Sequence, residues 1–573
     1  MKKFFTEMAV PLCPSSCIIR VLSVLFVLCL VSCQNEVETK IITRDTYRAY
    51  PGEVILDSSK SFESQVTEAG KIYVIRDGFD LGAEEVSIPS NCTLKFIGGT
   101  LYNGTVNFNS TTVTSIGNVI SPVFRQCKYK GNLANSEVEL GWFDLEDGKT
   151  TKYHGITYNT HDYTKLQAIL NCCRSGAQLN VSQIYIIRKP VSISKKLSIK
   201  GLDRSEGIYA DRIPQNMEYG FYQMMNESAF IVKNGGDVSM QGISVVGNIS
   251  LYIGGNLWEK YYGSGNGAPL SSPICICGID VEQGGKISEI HDSSFVAFTY
   301  GIRCQGGTIG LVKNSYFSSN RFGFWAKDTS NFELRGCRLN TNLLNFHFYE
   351  KSLNDPDKNH TTATTETDAA DAAKLGGGLY LNNCSNANII NCRFEFNFIH
   401  AILDNANKNI NIHNAIFDTG TLAQVMINNQ GTGSYSASNP AFSNVKINSC
   451  TFARGARCDV QNAISHAGFG LFYICDKGNR GANVEITNNI VSDNMEVDKT
   501  IDVVYEDYVF DIYNTSSSGT NYTVSGNSFY NTEAKSIYNV IGGSTGTFNI
   551  TASGNDYGSV TMKTGSTEVL KLN

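Results

Sequence analysis

In the second half of the chain, the apolar positions repeat one short phrase. Its copies include "IHDSSF", "LVKNSYF", "LRGCRL", "IINCRF" and "IHNAIF". The residue that closes the phrase is Phe295, Phe317, Leu339, Phe394, Phe417, Phe452, Val491, Phe529 and then Tyr557. The first three anchors are 22 residues apart and Phe394 to Phe417 is 23, with longer gaps that read as insertions. Five positions before the anchor the chain is again apolar, at Ile290, Val312, Leu334, Ile389, Ile412, Ile447, Ile486 and Val524. In an unbroken strand, residues five apart face opposite ways. A sharp bend between them puts both inside. The residue three before the anchor supplies it: Asp292, Asn314, Gly336, Asn391, Asn414, Ser449, Asn488, Gly526 and Gly554. These are small turn formers, Asn and Gly most often, which tolerate left-handed backbone.

A second turn is predicted three residues after the anchor, at Asn320, Asn342, Asn397, Gly420, Gly455 and Asn494. A closing strand follows it, as in "GIDVE", "GIRCQ", "GFWAK" and "NFHFY". Each repeat is thus three short strands and three turns, too short and too alternating for helices. A period near 22 residues without helical patterning predicts a solenoid of rungs about 4.8 Å apart. Parallel crossovers wind right-handed, so the predicted fold is an all-β, right-handed parallel β-helix with three strands per rung.

Before the array, "TKLQAILNCCRS" places Leu166, Ile169, Leu170 and Cys173 on one face of a helix over 164–175, ended by Gly176. It would cap the otherwise open end of the solenoid. The stretch "GAQLNVSQIYIIRKPVSIS" reads as a first rung. The Asn-rich bends, together with this cap and first rung, resemble the pectate-lyase-like β-helix superfamily over roughly residues 176 to 560. In that superfamily the closing strand lines a substrate groove, and many chemistries share the scaffold. The front segment "KIYVIRDGFDLGAEEVSIPSNCTLKFIGGTLYNGTVNF" resembles a small β-rich module of Bacteroidota lipoproteins. The expected organisation is a signal peptide over 1–33 and a tether over 34–49. The β-rich N-terminal module follows over 50–140, a linker and capping helix over 141–185, and the β-helix over 186–573.

The signal reading rests on Lys2, Lys3 and Arg20 ahead of the apolar run "VLSVLFVLCLV", which is too short to span a bilayer. Leu30-Val31-Ser32-Cys33 resembles a lipobox, implying lipidation at Cys33 and an outer-membrane lipoprotein, at the cell surface or in the periplasm. The composition, 17% charged with 53 Gly and 11 Pro, suits strands and polar turns. A net charge of -6 offers no basic surface for nucleic acid. Of the 17 cysteines, four lie at or before Cys33 and the odd remainder does not form a disulfide framework. Cys337, Cys392 and Cys450 recur at one repeat position and read as small buried hydrophobes. No Cys or His spacing suggests zinc, so no metal site and no cofactor is expected from such ligands. Calcium would suit the acidic stretch carrying Asp493, Glu496, Asp498 and Asp502.

Two groups of residues could carry chemistry. His291, Lys313 and Arg335 share one outward position on three successive rungs, beside the bend. No insertion walls that sheet, so they read as a solvated ladder. Long insertions at 249–275, 351–376, 456–467 and 495–505 instead flank the closing strand, and the first brings Trp258, Tyr261 and Tyr262, rings suited to sugar faces. The outward row of the closing strand reads Asp280 and Glu282, Arg303 and Gln305, Trp325 and Lys327, His347 and Tyr349, continued by Tyr380, Asn382 and Asp404. Trp325 and Tyr380 would bind substrate. As a glycosidase, Asp280 and Glu282 would supply the acid and the second carboxylate. As a lyase, Lys327, His347 or Tyr349 would take the proton alpha to a uronate carboxylate held by Arg303. The motif sets of polygalacturonases and the arginine pattern of pectate lyases are absent. A monomeric, lipid-anchored protein acting on polysaccharide, as glycoside hydrolase or polysaccharide lyase, is the leading expectation. A non-catalytic glycan-binding or adhesive surface protein is the alternative.

Overall fold

The bends form where the small residues are. Asp292, Asn314, Gly336, Asn391, Asn414, Ser449, Asn488, Gly526 and Gly554 all have φ between 47° and 66°. In the computed structural model, the described residues are 47–559 apart from 117–121, 154–155, 202–218, 249–274, 343–376, 398, 421–422, 430–441, 454–470, 477–482, 493–507, 515–520, 531–535 and 543–548. The signal and tether readings, Cys33, Trp258, Tyr261, Tyr262, His347, Tyr349 and the acidic stretch at 493–502 lie outside them.

Each bend turns an opening strand into a three-residue anchor strand, and the anchors stack in register. Phe295 pairs with Phe317, then come Leu339, Phe394, Phe417, Phe452, Val491 and Phe529 in turn. The rings of Phe394, Phe417 and Phe452 lie nearly parallel, with centroids 4.8 and 4.7 Å apart. The column is fully buried, as are the apolar residues five positions earlier. Three parallel sheets result. The opening strands make a thirteen-stranded sheet, the anchor strands a twelve-stranded one and the closing strands an eleven-stranded one. The first rung supplies Ala177–Asn180, Ile184–Ile187 and Val191–Ile193 to the three sheets in turn. The protein is a parallel β-helix.

At the corners the backbone ladder breaks, and side chains take over the orphaned carbonyls. Beside the bend, Cys337 Sγ reaches Val312 O at 3.3 Å and Cys392 Sγ reaches Leu334 O at 3.6 Å. Further along, Asn489 and Asn527 reach Ile447 O and Ile486 O from the same position at 3.1 and 2.9 Å. The cysteines therefore do more than fill space: they stand in for the asparagine donor. At the second turn, Asn320, Asn342 and Asn397 form a fully buried amide ladder, with Nδ2 to Oδ1 contacts of 3.1 and 2.7 Å. The left-handed residue here is one position earlier than the asparagines, at Ser319, Thr341, Phe396 and Thr419.

The helix forms over Tyr163–Cys172, with Asp162 accepting from the Thr164 and Lys165 amides and with Leu166, Ile169 and Leu170 buried. In the front segment, seven strands pair in parallel around the long strand Thr100–Ser115. The strand Glu137–Glu139 joins the thirteen-stranded sheet beside Ala177–Asn180. An antiparallel hairpin, Glu146–Tyr153 and Ile156–His161, stands between it and the helix along the chain.

Candidate functional site

Closing strands start with a glycine column, Gly278, Gly301, Gly323 and Gly378. A Cβ on Gly301 would lie 2.4 Å from Gly323 O, so successive rungs can approach here only without side chains. Beyond it, Ile302, Cys304, Phe324, Ala326, Leu379 and Leu381 point into the core and are fully buried. Their neighbours face outward.

The outward row is in register as Asp280, Arg303, Trp325, Tyr380 and Ile402. The strand paired with Phe322–Lys327 is Gly377–Asn382, so Tyr380 and Asn382 hold the places that the sequence reading gave to His347 and Tyr349. The expectation of "NFHFY" as the next rung is corrected accordingly. The pattern gly-x-aromatic recurs at Gly323, Trp325, Gly378 and Tyr380, and is the signal that could have identified the true neighbour.

Arg303 and Asp280 form a bidentate pair, Nε to Oδ1 at 2.9 Å and Nη2 to Oδ2 at 2.6 Å. The Asp280 carboxylate holds the guanidinium in its charged form even more firmly than usual. The same guanidinium lies 5.3 Å from the centre of the Tyr300 ring. Tyr300 stacks on Phe322, and Trp325 stacks on Tyr380 with centroids 5.5 Å apart and planes 2° from parallel. A stacked aromatic pair thus spans adjacent rungs beside a held cation.

Two residues further along the strand runs a second column, in register as Lys327, Asn382, Asp404 and Asn428. Asp404 is only 9% exposed. Its Oδ2 accepts from the Tyr380 phenol and from Asn382 Nδ2 at 3.1 Å, and its Oδ1 accepts from Asn428 Nδ2 at 3.1 Å and Asn405 Nδ2 at 3.2 Å. All four donors are neutral. Burial raises the Asp404 carboxyl above the usual range, against the pull of those hydrogen bonds and of the Lys327 charge. The Tyr380 phenol is likewise raised, by burial first and by Asp404 second.

The other carboxylates are already committed. Asp280 is taken by Arg303, and Glu282 Oε1 is 2.7 Å from Lys233 Nζ. The structure therefore gives Asp280 and Glu282 separate cation partners. The charged ladder beside the bend is also internally paired. Lys313 meets Glu289 at 2.8 Å, Arg335 meets Glu333 at 2.6 Å, and His291 contacts Asp292 at 3.0 Å. Among the described residues no group of three or more His, Cys, Asp or Glu is placed to hold a metal ion, and no helix is long and apolar enough to cross a membrane.

No protein-family model matches the chain, and no curated protein does. Among solved structures it is similar to a DFA-IIIase from Arthrobacter chlorophenolicus A6, at 10% identity over 66% of this chain and 83% of that one, TM-score 0.38. It is similar to an endo-xylogalacturonan hydrolase from Aspergillus tubingensis, at 12% identity over 70% and 90%, TM-score 0.35. An alginate lyase from Paenibacillus sp. str. FPU-7 gives 10% identity over 70% and 95%, TM-score 0.29. Values this low carry no argument about activity; the fold rests on the three parallel sheets themselves.

Proposed function

We propose that the closing-strand face binds polysaccharide and that the protein cleaves it. The carrying observation is the Trp325–Tyr380 stack, flanked on one side by the Arg303–Asp280 pair and on the other by Asp404. Flat rings with polar edges suit the apolar faces of pyranose or furanose units. Arg303 keeps outward donors for a uronate carboxylate or a hydroxyl. Asp404 is the carboxyl of the row whose surroundings favour its protonated form, which suits a general acid delivering a proton to the leaving glycosidic oxygen. The chain is read as a lipid-anchored protein of the outer membrane, at the surface or in the periplasm, because of the "LVSC" stretch ending at Cys33.

One observation favours a non-catalytic glycan-binding protein instead. Asp280 and Glu282, the pair a hydrolase would use, are both in ion pairs. Incubating the purified chain with uronic-acid and neutral polysaccharides separates the readings. Absorbance of unsaturated uronate reports a lyase, and new reducing ends report either enzyme. Binding without either signal across the panel would establish the binding protein.

A further inference from the structure

A second recess lies away from the closing-strand row, among the antiparallel hairpin, the start of the helix and the residues after strand Ile184–Ile187. It has a volume of about 520 Å³. Four cations line it, Lys149, Lys165, Arg188 and Lys189, together with three carboxylates. Among the described residues no contact within 4 Å pairs these cations with these carboxylates, and Arg188 and Lys149 act on Asp147 only at longer range.

The carboxylates have structural tasks for one oxygen each. Glu146 Oε1 accepts from Asn159 at 2.8 Å, Asp147 Oδ1 from Thr160 at 2.6 Å, and Asp162 Oδ1 from the helix amide of Thr164 at 2.8 Å. Each keeps a second oxygen able to accept from a hydroxyl. The donors are served unevenly: Lys165 Nζ donates to the Asp144 carbonyl at 3.2 Å. Arg188 Nε is buried without a hydrogen-bond partner, a costly arrangement for a cationic N–H. Lys189 Nζ is 5.6 Å from the centre of the Tyr163 ring, whose residue also lines the recess.

His161 sharpens the chemistry. It is 7% exposed, and its Nδ1 accepts the Ile186 amide at 2.9 Å. Its neutral ring therefore carries the proton on Nε2, and the residue lines the recess. The recess thus combines cationic donors and an imidazole N–H for an oxyanion, carboxylate acceptors for hydroxyls, and an aromatic ring. That combination matches a sugar ring bearing a carboxylate.

We infer that this recess binds one acidic sugar residue, with Arg188 and Lys189 on its carboxylate and the spare carboxylate oxygens of Glu146 and Asp147 on its hydroxyls. The inference is independent of the closing-strand site.

The test is calorimetry on the full chain with glucuronate, glucose and inorganic phosphate as probes. Glucuronate should bind, and glucose should bind at least about tenfold more weakly. Arg188→Gln and Lys189→Gln should each weaken glucuronate by about tenfold or more, whereas Lys313→Gln, on the opening-strand ladder, should not. Lys189 is exposed, so its variant tests the site even if Arg188→Gln fails to fold. Three results would overturn the inference: no glucuronate binding by the wild type, binding that Lys189→Gln leaves unchanged, or phosphate binding as tight as glucuronate and lost in the same variants.

Discussion

Tyr380 and Asp404 sit on neighbouring closing strands, two residues out of step, and the phenol of one donates to the carboxylate of the other. This diagonal joins the aromatic stack to the buried carboxyl, so each can be perturbed through its partner. Tyr380→Phe keeps the ring stack and removes one of four donors. It should cost about 1 kcal/mol in urea unfolding. Asp404→Asn should lower turnover about 100-fold or more on any polysaccharide the wild type cleaves, measured as reducing ends. Unchanged turnover would remove Asp404 from the mechanism.

Asp404 also predicts a pH dependence of stability. Its folded pKa is raised by burial, so the folded state holds the proton more tightly than the unfolded chain. This contribution is fully present below the ordinary value of 3.8 and is lost as pH rises through the folded value. Relative to Asp404→Asn, the wild type should therefore lose stability as pH rises from there, followed by denaturant midpoints. A difference that grows with pH would mean the four donors outweigh burial.

His400 predicts the opposite slope. It is fully buried, Nδ1 contacts Asn397 Nδ2 at 2.9 Å, and burial lowers its pKa from 6.5 to about 3. Its stabilising contribution is complete above pH 6.5 and is lost as pH falls toward about 3. The steepest loss should approach about 1.4 kcal/mol per pH unit. His400→Gln should flatten that limb in the same unfolding series.

The corner residues can be tested by shape alone. Asn314 has φ 47° and no core side chain to lose. Asn314→Gly should change stability by less than about 1 kcal/mol, and Asn314→Val should cost about 1–3 kcal/mol, since a β-branched residue is strained there. Lys313→Ala, which removes only the exposed pair with Glu289, should stay within about 0.5 kcal/mol.

Arg303 tests substrate charge. Its partner Asp280 is buried, so Arg303→Gln, which leaves that carboxylate without its cation, should cost about 1–3 kcal/mol. Binding of uronic-acid polymers should weaken more than binding of neutral ones, compared by affinity electrophoresis. Arg303→Lys should not restore it, because a point charge cannot reproduce the bidentate fork on Asp280.

The sequence alone determined the rung. A left-handed bend needs Asn, Gly, Asp or Ser, and a stacked core needs apolar residues at fixed offsets from it, so both leave a local mark that repeats. The second turn was legible only through Asn320, Asn342 and Asn397. The left-handed residues beside them, Thr341 and Phe396 among them, have no turn-forming character. Register across an insertion left only one faint mark, the glycine two residues before Trp325 and before Tyr380. "NFHFY" alternates as well as "GGLYLN" does, and only hydrogen bonding between rungs decided that Tyr380 follows Trp325. The same holds for charge. Asp280, Glu282 and Arg303 read as outward residues in the sequence, and tertiary contact decided that Arg303 takes Asp280 and Lys233 takes Glu282. Unlike Asp280 and Glu282, Asp404 is left with neutral donors, because its neighbours on adjacent rungs are Asn382 and Asn428.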